Sequence, residues 1–518
     1  MKIPKYFCFL LFFIPLLSLR DFTPNNELKY LSIADEAIRN SHFFAFWNHG
    51  AAYADKPPLY LWIVMLGKWL LGEHCMLFIS LFSIIPALVI LYVMDKWVKT
   101  VIPAPTRLSG QLMLITSGLF TGSAIVIRMD MLMCLFIVLS IYTFYKIYTG
   151  TGSVRDPLLF PVYIFLAVFT KGPVGILVPL TSIPVFLFWQ GKLQTFGKYF
   201  GWKQWSILIG LCLIWFGAVY LEGGKTYLDN LLFNQTVNRA IDSFHHKEPV
   251  WFYLKTIWYS LAPWILFYVV TIISGIRKHL INTDLKKLFL TVIVTTFTAL
   301  SLFSGKLDIY MLPVFPFIAY LAILLLPDLN GKYLSAAIAI PAGILLLVFP
   351  GIFILNKIPG LSVPNTIAIP IAALVLSISS LLSLRFLWKK SLLHAVNSLA
   401  AGLLLTIFIG SFSLSELNPY IGFQEMSKKA QTIANEKGIK NYYFYKFRSG
   451  ENIDAYLHQE IKQLSISELN SQGRQQEFIL FVRNKDVKKD PELEKIIGNK
   501  ESYNIGNYSI VLFQLNDN

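Results

Sequence analysis

The sequence predicts an all-α polytopic membrane protein of about thirteen transmembrane helices that carries a small C-terminal α/β domain outside the membrane. Three observations predict it. The chain of 518 residues is 55% hydrophobic and only 14% charged, with mean hydropathy +0.56, whereas soluble globular proteins carry about 25% charged residues. Its apolar residues gather in runs of about twenty, the length that crosses a hydrocarbon core about 30 Å thick. After Ser415 the composition turns from apolar to mixed, and about a hundred residues follow in which strand-like and amphipathic segments alternate.

Taken in order, spans are expected near 5–20, 75–94, 108–127, 130–148, 158–170, 173–189, 205–221, 251–275, 288–304, 309–326, 333–356, 366–386 and 394–414. The pair 158–170 and 173–189 is separated only by Lys171-Gly172-Pro173, which reads as a tight turn or as a break within one long apolar region. The parity of the count depends on that choice. Residues 59–72 (LYLWIVMLGKWLLG) are apolar but short and carry Lys68, so they read as a helix lying at the interface. Residues 1–20 read as a retained anchor, because Leu16 and Ser18 make a poor small-residue cleavage site.

The formal charge of +15 comes mostly from basic residues in short loops between apolar runs. No basic stripe accompanies them, which argues against a nucleic-acid partner. With the N-terminus inside, the cytoplasmic loops hold Lys96, Lys99 and Arg107; Lys146 and Arg155; Lys192, Lys198 and Lys203; Arg277, Lys278, Lys286 and Lys287; and Arg385, Lys389 and Lys390. That distribution obeys the positive-inside rule. The opposite turns carry fewer basic residues, among them Lys56, Arg128, Lys171, Arg239, Lys247 and Lys306, so the candidate functional residues fall on the external face. Cys8, Cys75, Cys134 and Cys212 lie in or beside apolar runs without CxxC spacing. Neither a disulfide framework nor a cysteine metal site is supported.

The chain divides into a membrane domain, 1–415, with a first external segment at 21–74, and a soluble domain, 416–518. In the second, 422–438 reads as helix, 441–447, 477–484 and 509–515 as strands, and 451–458 and 488–497 as helical pieces. An odd number of spans puts this domain outside, in the periplasm of a cell with two membranes. It shows no catalytic motif and reads as a structural or acceptor-side cap.

The most informative stretch is Pro24 to Trp62, a polar, charged, proline-closed insert where a membrane protein ordinarily has a short turn. Its Asn26-Glu27, Asp35-Glu36 and Asp55-Lys56-Pro57-Pro58 groups place carboxylates and a lysine at one membrane surface, within reach of a charged lipid head group. Together with IRMDM at 127–131, TKGPVGI at 170–176, FHHKEPVWFYL at 244–254 and SGKLDIYMLP at 304–313, this segment resembles the aminoarabinose transferase and protein O-mannosyltransferase superfamily. These are GT-C-fold glycosyltransferases that use lipid-phosphate-linked sugars. The motifs cover about residues 1–330, and the helix count with an external C-terminal domain agrees with the aminoarabinose transferase branch.

The resemblance implies an enzyme of the bacterial plasma (inner) membrane that moves a sugar from a polyprenyl-phosphate-linked donor to a cell-envelope acceptor such as lipid A, on the periplasmic face and with inversion. A protein acceptor is the alternative within the superfamily. A phosphate leaving group gains negative charge as the glycosidic bond breaks, so cations must stand where that charge develops. Lys56, Lys171, Arg239 and Lys306 are the candidates, with Tyr310 as a hydrogen-bonding partner to phosphate. The plainer readings are a snorkelling lysine for Lys56, solvated helix-end cations for Lys171 and Lys306, and an interfacial aromatic for Tyr310.

The superfamily pattern has an Asp-Glu pair in the first external segment, and here Asn26 stands at the Asp position with Glu27 retained. Asn accepts no proton at neutral pH. Either Glu27 or Asp130 is then the base, or the acceptor arrives ionised, as a phosphate does. Arg128 and Asp130 also read as a structural ion pair at a helix junction. A divalent metal on Glu27, Asp55 and His246 suits imidazole and carboxylate chemistry, although adjacent His245 and His246 equally suit contacts to phosphate or water. A lipid-linked-sugar transporter would place ionisable or broken-helix sites at mid-membrane, and the sequence instead concentrates polar groups at one face. A sensor would need an intracellular output module, for which the inner loops are too short.

Overall fold

The computed structural model describes residues 3–233, 247–329, 331–357, 366–473 and 475–514. The N-terminal four-fifths is a helical bundle built by the apolar runs. In chain order its first helices are α1 (Ile3–Leu19), α2 (Lys29–Asn40), α3 (Leu59–Leu71), α4 (Met76–Val98), α5 (Ala104–Ile115), α6 (Gly118–Ile125), α7 (Asp130–Thr149), α8 (Asp156–Lys171) and α9 (Val174–Trp189). Among the described residues, eight helices are long and apolar enough to cross a membrane, or up to eleven if each of three bent pairs is one span. The expected thirteen included α8 and α9, which at 16 residues each are separate helices joined by a tight Gly172-Pro173 turn.

Two expected single spans are broken, and each break has a chemical cause. The 108–127 run bends by 68° between α5 and α6. There Thr116 and Ser117 hydroxyls donate back to the carbonyls of Leu112 and Met113 at 2.6 and 2.8 Å, and Trp264 Nε1 donates to Thr116 Oγ1 at 2.9 Å. Backbone groups freed by the bend are thereby satisfied inside the bundle. The 251–275 run divides into Phe252–Ser260 and Ile265–Arg277, bent by 117°. Pro263 lies in the break, where a residue without an N–H cannot continue the helix.

The span Asp308–Asp328 runs through the middle of the bundle, 94% buried, while Trp202–Phe233 lies at the periphery with 17% buried. One end of the bundle is knitted by ion pairs. Arg107 Nε and Lys5 Nζ reach the two oxygens of Asp95 at 2.8 and 3.4 Å, Lys146 holds Asp156 at 2.8 Å and Lys286 holds Asp328 at 3.1 Å. These are the ends expected inside. The opposite helix ends carry the polar insert.

That insert is folded, not a loose loop. A single π turn, Pro24–Leu28, leads into amphipathic α2, a hairpin pairs β1 (Trp47–Asn48) with β2 (Ala51–Ala52), and α3 returns to the bundle. Lys68, the one charge in α3, reaches Asp35 of α2 at 2.7 Å, and His74 Nε2 contacts the same oxygen at 2.6 Å.

The C-terminal residues form a five-stranded mixed sheet in the order β4-β3-β5-β7-β6, comprising β3 (Asn441–Phe444), β4 (Lys462–Gln463), β5 (Phe478–Arg483), β6 (Ser502–Ile505) and β7 (Tyr508–Phe513). The three expected strands are present, with the first ending at Phe444. Two short edge strands, β4 and β6, fall where no strand was expected. β3 is parallel to β4 and β5, whereas β7 is antiparallel to β5 and β6. Strand alternation separates two cores. Ile479, Phe481, Ile510 and Leu512 share a core with the insert, while Phe478, Leu480, Val482 and Val511 pack on Leu469, Leu493 and Ile497.

The sheet module is docked on the insert by specific contacts. Asp21 accepts from the Tyr456 hydroxyl and from Gln424 N at 2.8 Å, Ser32 Oγ donates to Asp454 at 2.8 Å, and Ser449 Oγ donates to Asn25 at 2.7 Å. A Cβ at Gly422 would lie 2.1 Å from Asp21 Oδ2, so only glycine admits this approach.

Candidate functional site

At the end of the bundle opposite those ion pairs, four elements bring their charges together. Asp130 opens α7 and is buried. Its Oδ1 takes an ion pair from Lys171 at the end of α8, and its Oδ2 lies 3.1 Å from Arg128 Nε. Lys171 Nζ sits 4.8 Å from the ring centroid of Tyr310, a cation–π contact with the short helical turn Asp308–Val314. Lys56, from the insert, pairs with Asp55 at 2.5 Å and lies within electrostatic reach of both Asp130 and Lys171. Asp308 and Tyr310 are electrostatic neighbours of Arg128. Lys56, Arg128, Asp130, Lys171 and Tyr310 therefore belong to one patch.

Local sequence explains why they converge. Lys171 precedes Gly172, whose φ of 86° stops α8, and Pro173 starts α9, so the lysine ends a helix that points at the patch. Arg128 and Asp130 flank Met129, N-cap of α7, and Asp130 occupies the first helical turn where a carboxylate meets unpaired amides. Pro57 and Pro58 close the insert just before α3.

Lys306 takes a different position. Its buried ammonium donates to the carbonyls of Glu248 and Phe303, at 2.7 and 2.5 Å. A one-residue antiparallel bridge, Lys247 with Gly305, adds to this closure. In this structure Lys306 fastens the loop leading to Tyr310 onto the 247–249 segment. Arg239 and His246 lie outside the described residues.

Glu27 is fully engaged. It is 0% exposed. Arg20 donates to both its oxygens at 2.5 and 2.6 Å, Thr23 N and Oγ1 each donate at 2.8 Å, and Ile127 N donates at 2.7 Å. The carboxylate thus joins the end of α1, the π turn and the α6–α7 connection, leaving it no lone pair aimed at a substrate. This saturation argues against the expected role of general base, and it argues equally against metal ligation. Asn26 is exposed beside it. Asp55, the second expected ligand, is paired with Lys56, and among the described residues no group of three His, Cys, Asp or Glu side chains is placed to hold a metal ion. Glu27 and Asp55, the two described members of the expected metal set, are thus both engaged in ion pairs.

For Arg128 the sequence offered, as one alternative, a structural pairing with Asp130. The structure gives it that pairing and a place in the patch, and the i, i+2 spacing of IRMDM was the available signal. Arg20 was missed. Its signal was a lone basic residue at the end of the first apolar run, seven before an acid.

A cavity of about 690 Å³ opens between the hairpin and the peripheral helix end, lined by Trp47 and Ala52 of the first and by Lys225, Tyr227, Asp229 and Asn230 of the second.

No protein-family profile matches the chain. It is 25% identical over 349 residues, 66% of the chain, to the undecaprenyl phosphate-alpha-4-amino-4-deoxy-L-arabinose arabinosyl transferase of Shewanella sediminis (strain HAW-EB3), covering 61% of that relative. The transferase of the same description from Wigglesworthia glossinidia brevipalpis is 26% identical over 59% of the chain and 55% of its own length. The chain thus spans between 55% and 61% of these two curated transferases. An uncharacterized protein of Aquifex aeolicus (strain VF5) matches at 22% identity over 80% of the chain and 79% of its own length. The crystal structure of ArnT from Cupriavidus metallidurans bound to undecaprenyl phosphate superposes with TM-score 0.76, covering 99% of the chain and 98% of ArnT at 15% identity. Sequence and fold converge on one relationship: the chain has the GT-C membrane fold, and it is similar to the undecaprenyl phosphate-aminoarabinose arabinosyl transferases.

Proposed function

We propose that the chain is an integral-membrane glycosyltransferase that takes a sugar from a polyprenyl-phosphate-linked donor and delivers it to a cell-envelope acceptor, with lipid A as the leading acceptor, on the periplasmic face of the inner membrane. The observation that carries the proposal is the patch itself. Three cations, Lys56, Arg128 and Lys171, stand against two carboxylates, Asp55 and Asp130, at the ends of apolar helices. Cations held in place by carboxylates at these helix ends are suited to a lipid phosphate whose tail lies among those helices.

The geometry serves a displacement in which the sugar–phosphate bond breaks. Asp130 holds Lys171 and Arg128 before substrate arrives, so the leaving phosphate meets positioned cations and little reorganisation is needed as its charge grows. Lys56 adds a third cation from the insert. Asp55 and Asp130 are both ion-paired and Glu27 is saturated, which favours an acceptor that arrives ionised, such as a phosphate, over a hydroxyl that must lose a proton.

Mass spectrometry of envelope lipids from cells with and without the gene tests the proposal. The expected result is a lipid A species lighter by one sugar residue when the gene is removed. Loss of sugar from a protein instead would redirect the acceptor to protein, and unchanged lipids and proteins would reject the proposal.

A further inference from the structure

We infer that Glu222 is a positioning residue that sets Lys56 in the site, acting with Tyr227 as a clamp on the first external segment; the inference rests on the glycosyltransferase reading only for its effect on turnover. Glu222 and Tyr227 lie near the external end of the peripheral helix Trp202–Asp229, on either side of a kink at Gly224, where φ is 73° and ψ is −179°. Only glycine takes that backbone conformation readily. The kink turns both side chains onto one stretch of the insert.

The carboxylate of Glu222 accepts three consecutive backbone amides, Phe43 N at 2.6 Å, Phe44 N at 2.5 Å and Ala45 N at 2.9 Å. Charge-assisted bonds of this kind are about twice as strong as neutral ones. Tyr227 Oη accepts from the next amide, Phe46 N, at 2.9 Å and donates to Tyr53 O at 2.8 Å. Four successive amides are thus held by two side chains of one helix end. Contact is close enough that a Cβ on Gly223 would fall 2.8 Å from Ala45 Cβ.

The clamped stretch in turn brackets Lys56. Tyr53 N donates to Phe46 O at 2.7 Å, so both backbone groups of Tyr53 are fixed three residues before Lys56. Trp62 Nε1 donates to Phe43 O at 2.5 Å, six residues after it. Between these anchors, Asp55 pairs with Lys56. The effect of Glu222 and Tyr227 on the lysine passes through backbone. The clamp explains why a polar insert of this length holds a lysine at a defined point over the membrane surface.

The test uses full-length protein in detergent or liposomes. Glu222→Gln keeps the shape and removes the charge, and Tyr227→Phe removes only the hydroxyl shared by Phe46 and Tyr53. Each variant is expected to speed hydrogen exchange at the amides of 43–46, to raise the reactivity of Lys56 toward an amine-acylating reagent by threefold or more, and to lower kcat about tenfold with donor KM changed less than threefold. The double variant is expected to be no worse than the more impaired single one, because both release the same segment. Wild-type exchange and wild-type Lys56 reactivity in both variants would overturn the clamp. Faster exchange with unchanged Lys56 reactivity and unchanged kcat would overturn its positioning role. If wild-type protein transfers no sugar, the glycosyltransferase reading fails, and exchange and Lys56 reactivity still decide the clamp.

Discussion

Glu27 shows how a residue can resemble a catalytic acid in sequence and act as a structural node in the fold. Its carboxylate holds Arg20, Thr23 and Ile127 together, with its side chain at 0% and that of Arg20 at 8% exposure. Removing one partner of a buried pair typically costs about 3–5 kcal/mol, because the other charge is left unpaired. Glu27→Gln is therefore expected to lower the unfolding temperature in detergent markedly, and added divalent metal should not restore it. Lost turnover with an unchanged unfolding temperature would return Glu27 to the chemistry. Asp130 differs in kind, since both of its partners, Lys171 and Arg128, face the patch where a phosphate leaving group would stand.

At the scale of elements, the insert and the sheet module meet through His49. Its Nε2 lies 3.1 Å from Asp454 Oδ2 and 3.2 Å from Ser32 Oγ. Burial alone would lower the imidazole pKa, but the hydrogen bond and charge of Asp454, helped by Glu451 and Glu36, hold it above the ordinary value. A raised folded pKa means the contact contributes fully below the unfolded value of about 6.5 and is lost as pH rises through the folded one. Protection factors in the docked helix Gln424–Lys437, taken relative to the intrinsic exchange rate at each pH, should then be higher at pH 6 than at pH 9, and Asp454→Asn should flatten the difference. Equal protection at both pH values in the wild-type protein would remove His49 from the docking.

How far these elements were legible follows from the kind of signal each one leaves. Apolar runs such as Met76–Val98 and Asp130–Thr149 were placed within a few residues because length and hydropathy define them. The breaks at Thr116-Ser117 and Pro263 were not, since hydropathy is continuous across both, although Pro263 carried a local signal. β4 and β6 escaped because a strand of two residues has no periodicity, and the exposed side chains of Ser502 and Asn504 mark an edge. Within the site, DKPPL, IRMDM and TKGP pointed to residues that do converge. The Glu222 clamp was illegible, for it works through backbone amides, which any sequence supplies.

The whole molecule is polarised. Ion pairs of Asp95, Asp156 and Asp328 mark one end of the bundle, and the insert, the patch and the sheet module mark the other. Cysteine labelling in intact cells is expected to find positions 192 and 287 internal and position 247 external. External labelling at 287 would invert the orientation and separate the patch from a periplasmic acceptor. The central claim is that the patch transfers sugar from a lipid phosphate, and reconstituted transfer tests it most directly. Liposomes containing the purified protein, undecaprenyl-phosphate-linked sugars and lipid A should yield lipid A carrying an added sugar by mass spectrometry, with Lys56→Ala slower by about 10²-fold or more at equal protein. No transfer by the wild-type protein to lipid A or to any envelope acceptor supplied, or undiminished transfer by Lys56→Ala, would contradict it.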